Sequence, residues 1–268
     1  MITLRSRVVE SEKKDPVITD PKGKEILERA RSILPAEIRD RLLRRRLRTS
    51  LTSYIALRAR KYDRYTREFL ERNPEGIVVS LGCGFDTRYW RAVNGPGKYF
   101  ELDLPPVIDL KRKLLGNDAP YEMIGASVLD DEWIGRISSV RKDRVLFLAE
   151  GLLMYLKPGD VKGLIGKMSE TFSASELVAE VVTEKYTKGM WKKIVEKKMK
   201  RGAGTSAGSS YFFGVETGKD LESFGSNIKL LEEWSYFEDR DIRPRIMKPL
   251  GKLKMFSRSQ WTVRLSIG

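Results

Sequence analysis

Histidine is absent from this chain of 268 residues, and cysteine occurs once, as Cys83. The lack of histidine removes the usual general base, the commonest metal ligand and the Ser-His-Asp triad. A single cysteine excludes an intrachain disulfide and a cysteine-rich zinc site, so no metal site is predicted. These absences favour a reaction that needs little proton handling.

Long apolar runs are also missing. No run approaches the roughly 20 residues that span a bilayer, and the N-terminal stretch lacks the apolar segment of a secretory signal. We therefore expect a cytoplasmic protein with no membrane partner. The hydrophobic content of 41% is ordinary, and the length suits one α/β domain with an appended element.

Acidic residues are outnumbered, since 51 Lys and Arg face 37 Asp and Glu, which gives a net charge of +14. Such an excess attracts anionic partners, nucleic acid among them. A charge-rich surface of the kind associated with growth at high temperature is the alternative. The densest positive run is Arg44, Arg45, Arg46 and Arg48, which suits either a solvated helix face or an anion site.

A glycine turn is the most informative local pattern. Residues 78–90 read VVSLGCGFDTRYW, which predicts a buried strand, a turn at Gly82 and Gly84, and a helix. The glycines allow a ligand to approach the backbone closely, and the helix start offers free N–H groups. The next strand ends in Glu101 and Asp103, either of which can accept ribose hydroxyls. This order predicts a nucleoside cofactor site.

Thr87 stands where a dinucleotide fingerprint has its third glycine, so a pyrophosphate fits poorly. S-adenosylmethionine has no phosphate and fits better. Asp86 or Thr87 is expected to cap the following helix, because both residue types are good N-caps. Lys111, Arg112 and Lys113 are expected to form a solvated helix face.

Strand and helix patterns alternate after residue 76. The apolar runs are GIVVSLG, GKYFELDLP, PYEMIGAS, RVLFLAEGLLMYL and ELVAEVV. This alternation predicts a mostly parallel sheet covered by helices, with a ligand crevice at the carboxyl ends of the strands. Glu150 ends one such run, where a buried charge needs a partner or a ligand. The candidates at this edge are Gly82, Gly84, Asp103, Ser127 and Glu150.

The flanking regions are less regular. Residues 1–20 are predicted as an irregular arm. Residues 35–70 are predicted as one or two helices, and Asn73 to Gly76 then break the helix before the first strand. Residues 185–200 read as a basic helix, and the small-residue loop 201–210 is either a lid or a plain surface loop. The C-terminal segment alternates like a strand and suits an antiparallel sheet edge.

Four segments together resemble the leucine carboxyl methyltransferase family. They are RARKYDRYTREFL from Arg58, SLGCGFDTRYWRA with KYFELDLPPVIDLKRKLL, LFLAEGLLMYLKPGDV around Glu150, and GVETGKDLESF at 214–224. They keep the family order, and their combination is much more specific than any one piece. The last segment looks closest to the branch that methylates protein carboxyl groups. The resemblance implies an S-adenosylmethionine-dependent O-methyltransferase acting on a carboxylate, such as a protein C-terminus or a small molecule.

The resemblance also implies the fold and its division. The fold is a doubly wound, Rossmann-like class I methyltransferase sheet with an N-terminal helical cap and an inserted lid region. We expect a single domain made of an arm and cap at 1–75, a cofactor-binding core at 76–183, a lid or insertion at 184–225, and a sheet completion at 226–268.

Roles at the methionine end of the cofactor follow from the same resemblance. Arg58 matches the arginine that grips the methionine carboxylate, and Glu150 matches a glutamate near the methionine amino group. Gly82 and Gly84 match the backbone turn beside the cofactor.

At the nucleoside end, Asp103 matches the acid that binds the ribose hydroxyls, with Glu101 as the fallback. Ser127 and Val128 fall where the adenine is contacted in the family. One family enzyme has an acid where this chain has Ser127.

The implied chemistry agrees with the missing histidine. A carboxylate is already ionised at neutral pH, so it can attack the sulfonium methyl without a general base. Arg88, Tyr155 or the basic cap is expected to place the acceptor, although Tyr155 suits core packing equally well. Two other functions stay open: a tRNA-modifying carboxyl methyltransferase, and a non-catalytic module that binds the cofactor or nucleic acid.

Overall fold

The computed structural model describes the backbone of residues 1–43, 47–116, 119–203 and 210–268. It describes the side chains of these residues except those within 41–46, 117–118 and 198–209. Within these ranges, seven strands form one sheet. They are β1 (Ile77–Leu81), β2 (Lys98–Asp103), β3 (Glu122–Gly125), β4 (Val145–Ala149), β5 (Ser175–Val182), β6 (Lys229–Trp234) and β7 (Gln260–Ile267).

The strand order is β3-β2-β1-β4-β5-β7-β6, parallel from β3 to β5 and antiparallel at β7 and β6. Each predicted apolar run after residue 76 overlaps one of the parallel strands. From β1 to β3 each new strand is added on one side of β1, and β4 is then added on its other side. β1 and β4 therefore lie side by side at the point where ligands bind in such sheets. The predicted Rossmann-like α/β fold is confirmed.

Helices precede the sheet and connect its strands. They are α1 (Ile2–Ser11), α2 (Pro21–Ile33), α3 (Ala36–Leu43), α4 (Thr49–Arg72), α5 (Arg88–Ala92), α6 (Pro105–Leu115), α7 (Glu132–Val140), α8 (Pro158–Thr171), α9 (Gly189–Ala203) and α10 (Lys254–Ser257). Short 3₁₀ turns cover Leu153–Tyr155, Glu184–Thr187, Gly218–Phe224, Tyr236–Glu238 and Arg245–Lys252. No helix of the described ranges is long and apolar enough to cross a membrane.

Side chains of β1 alternate between the two faces of the sheet, and each face has its own core. Val79 belongs to the core that includes Trp133 of α7 and Ile165 of α8. Val78 belongs to the opposite core with Tyr62 and other residues of α4. A strand buried on both faces reads as one continuous apolar run, as the sequence of β1 does.

The N-terminal arm is not irregular, so that prediction is wrong. Residues 2–11 form α1, whose Leu4 and Val8 pack against Ile26 and Leu27 of α2. The charged residues of this stretch suggest an exposed segment. One of them, Arg7, is instead buried and has an ionic partner. The one or two helices predicted at 35–70 are α3 and α4, and α4 ends immediately before the predicted break.

The C-terminal strand also differs from its prediction. β7 does not lie at the sheet edge, because β5 pairs with one side of it and β6 with the other. Trp261, Val263 and Leu265 on β7 are buried, whereas the edge strand β6 is mostly half-buried or exposed. The alternating pattern identified a strand correctly but does not tell an edge strand from an inner one.

Two other predictions concern the basic segments. The basic helix is present as α9, and it begins four residues later than predicted, after the 3₁₀ turn Glu184–Thr187. Most of the small-residue loop, residues 204–209, lies outside the described residues, so a lid there remains a prediction. Residues 44–46 of the arginine run also lie outside them.

Candidate functional site

A cavity of about 260 Å³ opens at the carboxyl ends of β1, β4 and β5. Helix α4 contributes Arg58 to its wall, and α1 contributes Thr3 and Arg7. The remaining wall comes from the ends of the strands and the turns after them: Ser80 to Gly84, Asp86, Glu150, Gly151, Met154, Tyr155, Glu180 and Gln260. This is the crevice position that the alternation of strands and helices predicts. We call it the first cavity.

The glycine turn forms the floor of the first cavity. Gly82 and Gly84 have φ values of 62° and 52°, in the left-handed region that favours glycine. The Gly84 N–H donates to Asp103 Oδ2 at 2.7 Å, which ties the end of β2 to the turn. The turn therefore brings Asp103, the predicted ribose ligand, next to the first cavity.

Replacing Gly82 by Ala is expected to lower the free energy of unfolding. A left-handed conformation costs an L-residue about 1–2 kcal/mol, and the added Cβ would lie 3.0 Å from Leu152 Cδ1. The Gly135→Ala control, inside α7 and with no atom within 4 Å of its Cβ, should instead raise stability by up to ~1 kcal/mol. Urea unfolding measures both, and equal effects of the two substitutions would contradict this role for Gly82.

Arg58 occupies the centre of a buried set of charges. Its Nε donates to Glu150 Oε1 at 2.8 Å, and its Nη1 donates to Glu180 Oε2 at 2.6 Å. The Tyr54 hydroxyl, one helical turn earlier, donates to the other oxygen of Glu180. One wall of the first cavity thus carries a fixed guanidinium between two carboxylates.

Arg88 lies behind Glu150 of this wall and is fully buried. It is paired with Asp63 at 2.9 Å and with Glu150 at 2.6 Å, and it also contacts Asp86. Burial acts to lower the pKa of Arg88, but Asp86, Glu150 and Asp63 outweigh it and hold the pKa above its ordinary value. Arg88 does not line the first cavity. Its predicted role in placing the acceptor stays a prediction.

Glu150 is held between Arg58 and Arg88. Burial acts to raise the pKa of Glu150, but these two guanidinium groups outweigh it, so the pKa is lower than usual. The carboxylate is therefore ionised at neutral pH and rigidly oriented. This satisfies the expectation that a charge at the end of a buried strand has a partner.

Asp86 and Thr87 do not cap α5 with their side chains, which corrects that prediction. The Asp86 carboxylate is instead engaged by Arg88 and by Arg91. The Thr87 hydroxyl donates to Asp20 at 2.6 Å. Neither side chain bonds to the helix start, because each has a charged partner that forms a stronger hydrogen bond.

Asp20 connects the N-terminal helices to the glycine turn. It accepts from Arg7 Nε at 2.7 Å and from the Gly23 N–H at 2.9 Å, which caps α2. Arg7 also donates to the Phe85 carbonyl at 2.9 Å. Burial acts to raise the pKa of Asp20, but Arg7, Arg91 and the Thr87 hydrogen bond outweigh it and lower the pKa. α1 is thus fixed over the first cavity by a buried ion pair.

The lowered pKa of Asp20 predicts a loss of stability in acid. A carboxyl group with a depressed folded-state pKa contributes stability above its ordinary value of 3.8, and this stability is lost as the pH falls through the folded-state pKa. In Asp20→Asn the free energy of unfolding should therefore fall less steeply below about pH 4. Urea unfolding between pH 6 and pH 3 tests this. An Asp20→Asn slope equal to that of the parent and of Asp109→Asn, an exposed control, would contradict it.

Glu101 lies behind the turn, away from the first cavity. Its side chain is fully buried and paired with Lys111 Nζ at 2.6 Å, and Lys111 also donates to the Asp86 carbonyl at 2.7 Å. Glu101 is therefore placed to support the turn, and its fallback role at the ribose stays a prediction. Lys111 is not part of a solvated helix face, which corrects that prediction as well.

The predicted adenine contacts lie after β3. The Ser127 N–H donates to Asp130 Oδ2 at 2.8 Å, and Val128 packs in the main core. Neither residue lines the first cavity. Their predicted contact with the adenine stays a prediction.

Tyr155 lines the first cavity and is 43% exposed, so it is not packed in the core. Its ring meets Tyr211 edge-on with centroids 5.5 Å apart. Burial raises the pKa of Tyr155 above its ordinary value. At neutral pH this hydroxyl can donate a hydrogen bond but does not act as a base.

A family model described as leucine carboxyl methyltransferase matches residues 1–169, which supply the lining of the first cavity except for Glu180 and Gln260. The chain belongs to the leucine carboxyl methyltransferase family. It is therefore an S-adenosylmethionine-dependent methyltransferase, as its sequence motifs predict.

Individual relatives of this methyltransferase agree. The tetracenomycin polyketide synthesis O-methyltransferase TcmP of Streptomyces glaucescens is 27% identical over 251 residues, covering 91% of this chain and 85% of TcmP. Leucine carboxyl methyltransferase 1 of Caenorhabditis elegans is 28% identical over 151 residues, 43% of this chain and 45% of that protein. A crystal structure of a candidate methyltransferase from Thermobifida fusca has a TM-score of 0.59 and 16% identity, and covers 98% of this chain and 94% of that one. This likeness supports the fold.

The sequence alone did not identify two charged residues at the first cavity of this methyltransferase. Glu180 lies within the apolar run of β5 and is buried, and Arg7 comes from a stretch that was not predicted as a helix. A signal for Glu180 was present, because a carboxylate inside an apolar strand needs a partner as much as one at its end. Arg7 offered no comparable local signal.

Proposed function

We propose that the chain transfers the methyl group of S-adenosylmethionine to the oxygen of a carboxylate, with the cofactor held in the first cavity. The amino-acid end of the cofactor carries one positive and one negative charge. The cavity wall offers a matching set, with Arg58 for the carboxylate and Glu150 for the amino group. Asp103, fixed beside Gly84, is the proposed ribose ligand. The residues present therefore fit this cofactor.

The side chains that line the first cavity indicate which kind of acceptor the site suits. S-adenosylmethionine supplies an activated methyl group when bound, so the protein must align the acceptor and exclude water. The carboxylates of the described wall are engaged by arginines or backbone, Tyr155 stays protonated, and burial raises the pKa of the Cys83 thiol. Burial raises the pKa of Glu180 to about 8, but both of its oxygens are engaged, one by Arg58 Nη1 and the other by the Tyr54 hydroxyl, so no described lining residue is a base with a free oxygen. An acceptor that is already ionised, a carboxylate, suits such a site, because its attack needs alignment and not deprotonation.

The acceptor itself needs a hydrogen-bond donor and an opening. Tyr155 supplies both, because its hydroxyl is protonated and its ring lies at the exposed side of the first cavity. We propose that Tyr155 orients the acceptor carboxylate. TcmP acts in polyketide synthesis by its name, whereas the nematode relative is named for a leucine carboxyl group, so a small acid and a protein C-terminus are both consistent with the family.

The test is the alkali lability of the product. Purified protein is incubated with S-adenosylmethionine labelled in its methyl group and with protein, RNA and small-molecule fractions of the source cells. A carboxyl methyl ester releases volatile labelled methanol in mild alkali, whereas a methyl ether or N-methyl group does not. We expect alkali-labile label in the parent and none with Asp103→Ala. Alkali-stable label, or no label in any fraction, would contradict carboxyl methylation.

A further inference from the structure

One carboxylate is in excess among the largely buried charges around the first cavity. Among the described residues, salt bridges join five acidic side chains to four arginines in one continuous set. A buried charge without a partner is costly, so the extra negative charge calls for a proton or for a cation from outside the protein. The acids are Asp20, Asp63, Asp86, Glu150 and Glu180, and the arginines are Arg7, Arg58, Arg88 and Arg91.

Glu180 is the acid of this set with the fewest positive partners. Each of the other four acids is paired with at least two of the arginines, whereas Glu180 is paired with Arg58 alone, at 2.6 Å. Arg58 is shared as well, because it also pairs with Glu150 at 2.8 Å. The Glu180 side chain is 1% exposed and lines the first cavity, so it is shielded from bulk water but accessible to a bound ligand. The excess negative charge is therefore assigned to Glu180.

The protonation of Glu180 agrees with this assignment. Burial raises the pKa of Glu180 to about 8, although hydrogen bonds with the Gln260 side chain and the Gly151 backbone act to lower it. The pKa of Glu150 is lowered and that of Tyr211 is raised, so neither changes its charge between pH 6 and pH 8. Over this range Glu180 passes from neutral to about half ionised. The other titratable or charged groups around it are Tyr54 and Arg58 of α4, Glu150 after β4, and Tyr211.

We propose that Glu180 makes the first cavity prefer S-adenosylmethionine to S-adenosylhomocysteine, by losing its proton to solvent when the cationic ligand is bound. The inference rests on the proposed placement of the cofactor in this cavity. The two ligands share the groups assigned to Arg58, Glu150 and Asp103, and they differ by the methyl group and the positive charge of the sulfonium. An ionised carboxylate in the same poorly screened cavity attracts that charge even without direct contact. A site with this preference releases the spent cofactor more readily after methyl transfer.

Calorimetric titration of the full chain with each ligand, at pH 6 and at pH 8 and without acceptor, tests the proposal. The measured preference is the Kd of S-adenosylhomocysteine divided by that of S-adenosylmethionine. At pH 8 the preference of the parent should be about five-fold greater than that of E180Q, as expected for one added charge attraction in a partly screened site. At pH 6 both proteins should show the same preference, because Glu180 is then protonated. Titration of the ligands themselves affects both proteins alike.

E176Q is the matched control. Glu176 lies four residues before Glu180 on the same face of β5, is paired with Arg72 and Arg264, and does not line the first cavity. E176Q should keep the preference of the parent at pH 8, and E180D, which retains the charge, should keep most of it. E180A is a second neutral variant and should match E180Q. Because the preference is a ratio within one protein, a smaller folded fraction does not alter it.

Equal preference of the parent and E180Q at pH 8 would overturn the proposal. If E180Q had then lost affinity for both ligands by the same factor, Glu180 would only position Arg58. A drop in preference in E176Q as large as that in E180Q would also overturn the proposal, since the loss would follow the net charge of the protein and not the position of the carboxylate.

Failure of this inference can be told from failure of the proposed function, because no acceptor takes part in the titrations. Loss of the preference in E180Q together with alkali-stable methyl products would refute carboxyl methylation alone. Alkali-labile product together with equal preference in the parent and E180Q would refute the role of Glu180 alone.

Discussion

Arg58→Ala is expected to weaken the binding of S-adenosylmethionine about 100-fold, or ~2.7 kcal/mol. Arg58 is buried between Glu150 and Glu180, and it is the proposed partner of the methionine carboxylate. Its removal would leave two acidic groups facing that carboxylate, so repulsion replaces attraction. Calorimetric titration with S-adenosylmethionine and S-adenosylhomocysteine measures the effect directly.

Arg60→Ala is the matched control, because Arg60 lies two residues further along the same helix and is paired with Asp239 and Asp241, away from the first cavity. It should leave the affinity within a factor of about two, as expected for a partly exposed ion pair. A folded Arg58→Ala protein that binds the cofactor like the parent would remove Arg58 from the proposed site.

Arg88→Ala is expected to cost about 3–5 kcal/mol in the free energy of unfolding, the range for breaking a buried ion pair from one side. The substitution would leave the carboxylates of Asp63, Asp86 and Glu150 close together, with fewer positive partners. Arg88→Lys should recover only part of the loss, since an ammonium group cannot reproduce the planar fork that reaches three acids. Urea unfolding at neutral pH provides the measurement.

Arg136→Ala serves as the surface control. Arg136 is paired with Glu122, and its side chain is 56% exposed, so the loss should stay below about 1 kcal/mol. If Arg88→Ala were no more harmful than Arg136→Ala, the buried charges would not stabilise the turn as described. If Arg88→Ala were stable but lost methyl transfer through reduced acceptor affinity alone, Arg88 would act in placing the acceptor, as the sequence predicts.

The parallel strands could be predicted because each is an apolar run bounded by turn residues, and the glycine turn because its spacing is local. The position of a strand within the sheet could not be predicted. The sequence of β7 alternates as that of an edge strand does, but β7 has a strand on both sides. α1 could not be predicted for a related reason: its charged residues suggest a solvent-exposed segment, yet Arg7 is buried and paired with Asp20.

The charges of the site show the same limit. The basic run 111–113 predicts a solvated face, but the spacing of Lys111 from Ile108 and Leu114 places it on the buried stripe of α6. Its partner Glu101 comes from β2, so the sequence pattern around Lys111 gave no hint of the pair. Arg58 and Glu180 are 122 positions apart. Local patterns predict which charges are buried only when the partner lies nearby in sequence.

The most direct test of the cofactor site is a crystal structure of the protein with S-adenosylhomocysteine. We predict that its homocysteine carboxylate contacts Arg58, its amino group contacts Glu150 and its ribose hydroxyls contact Asp103, all in the first cavity. Binding of S-adenosylhomocysteine elsewhere, with Arg58 still paired with both Glu150 and Glu180, would contradict the account.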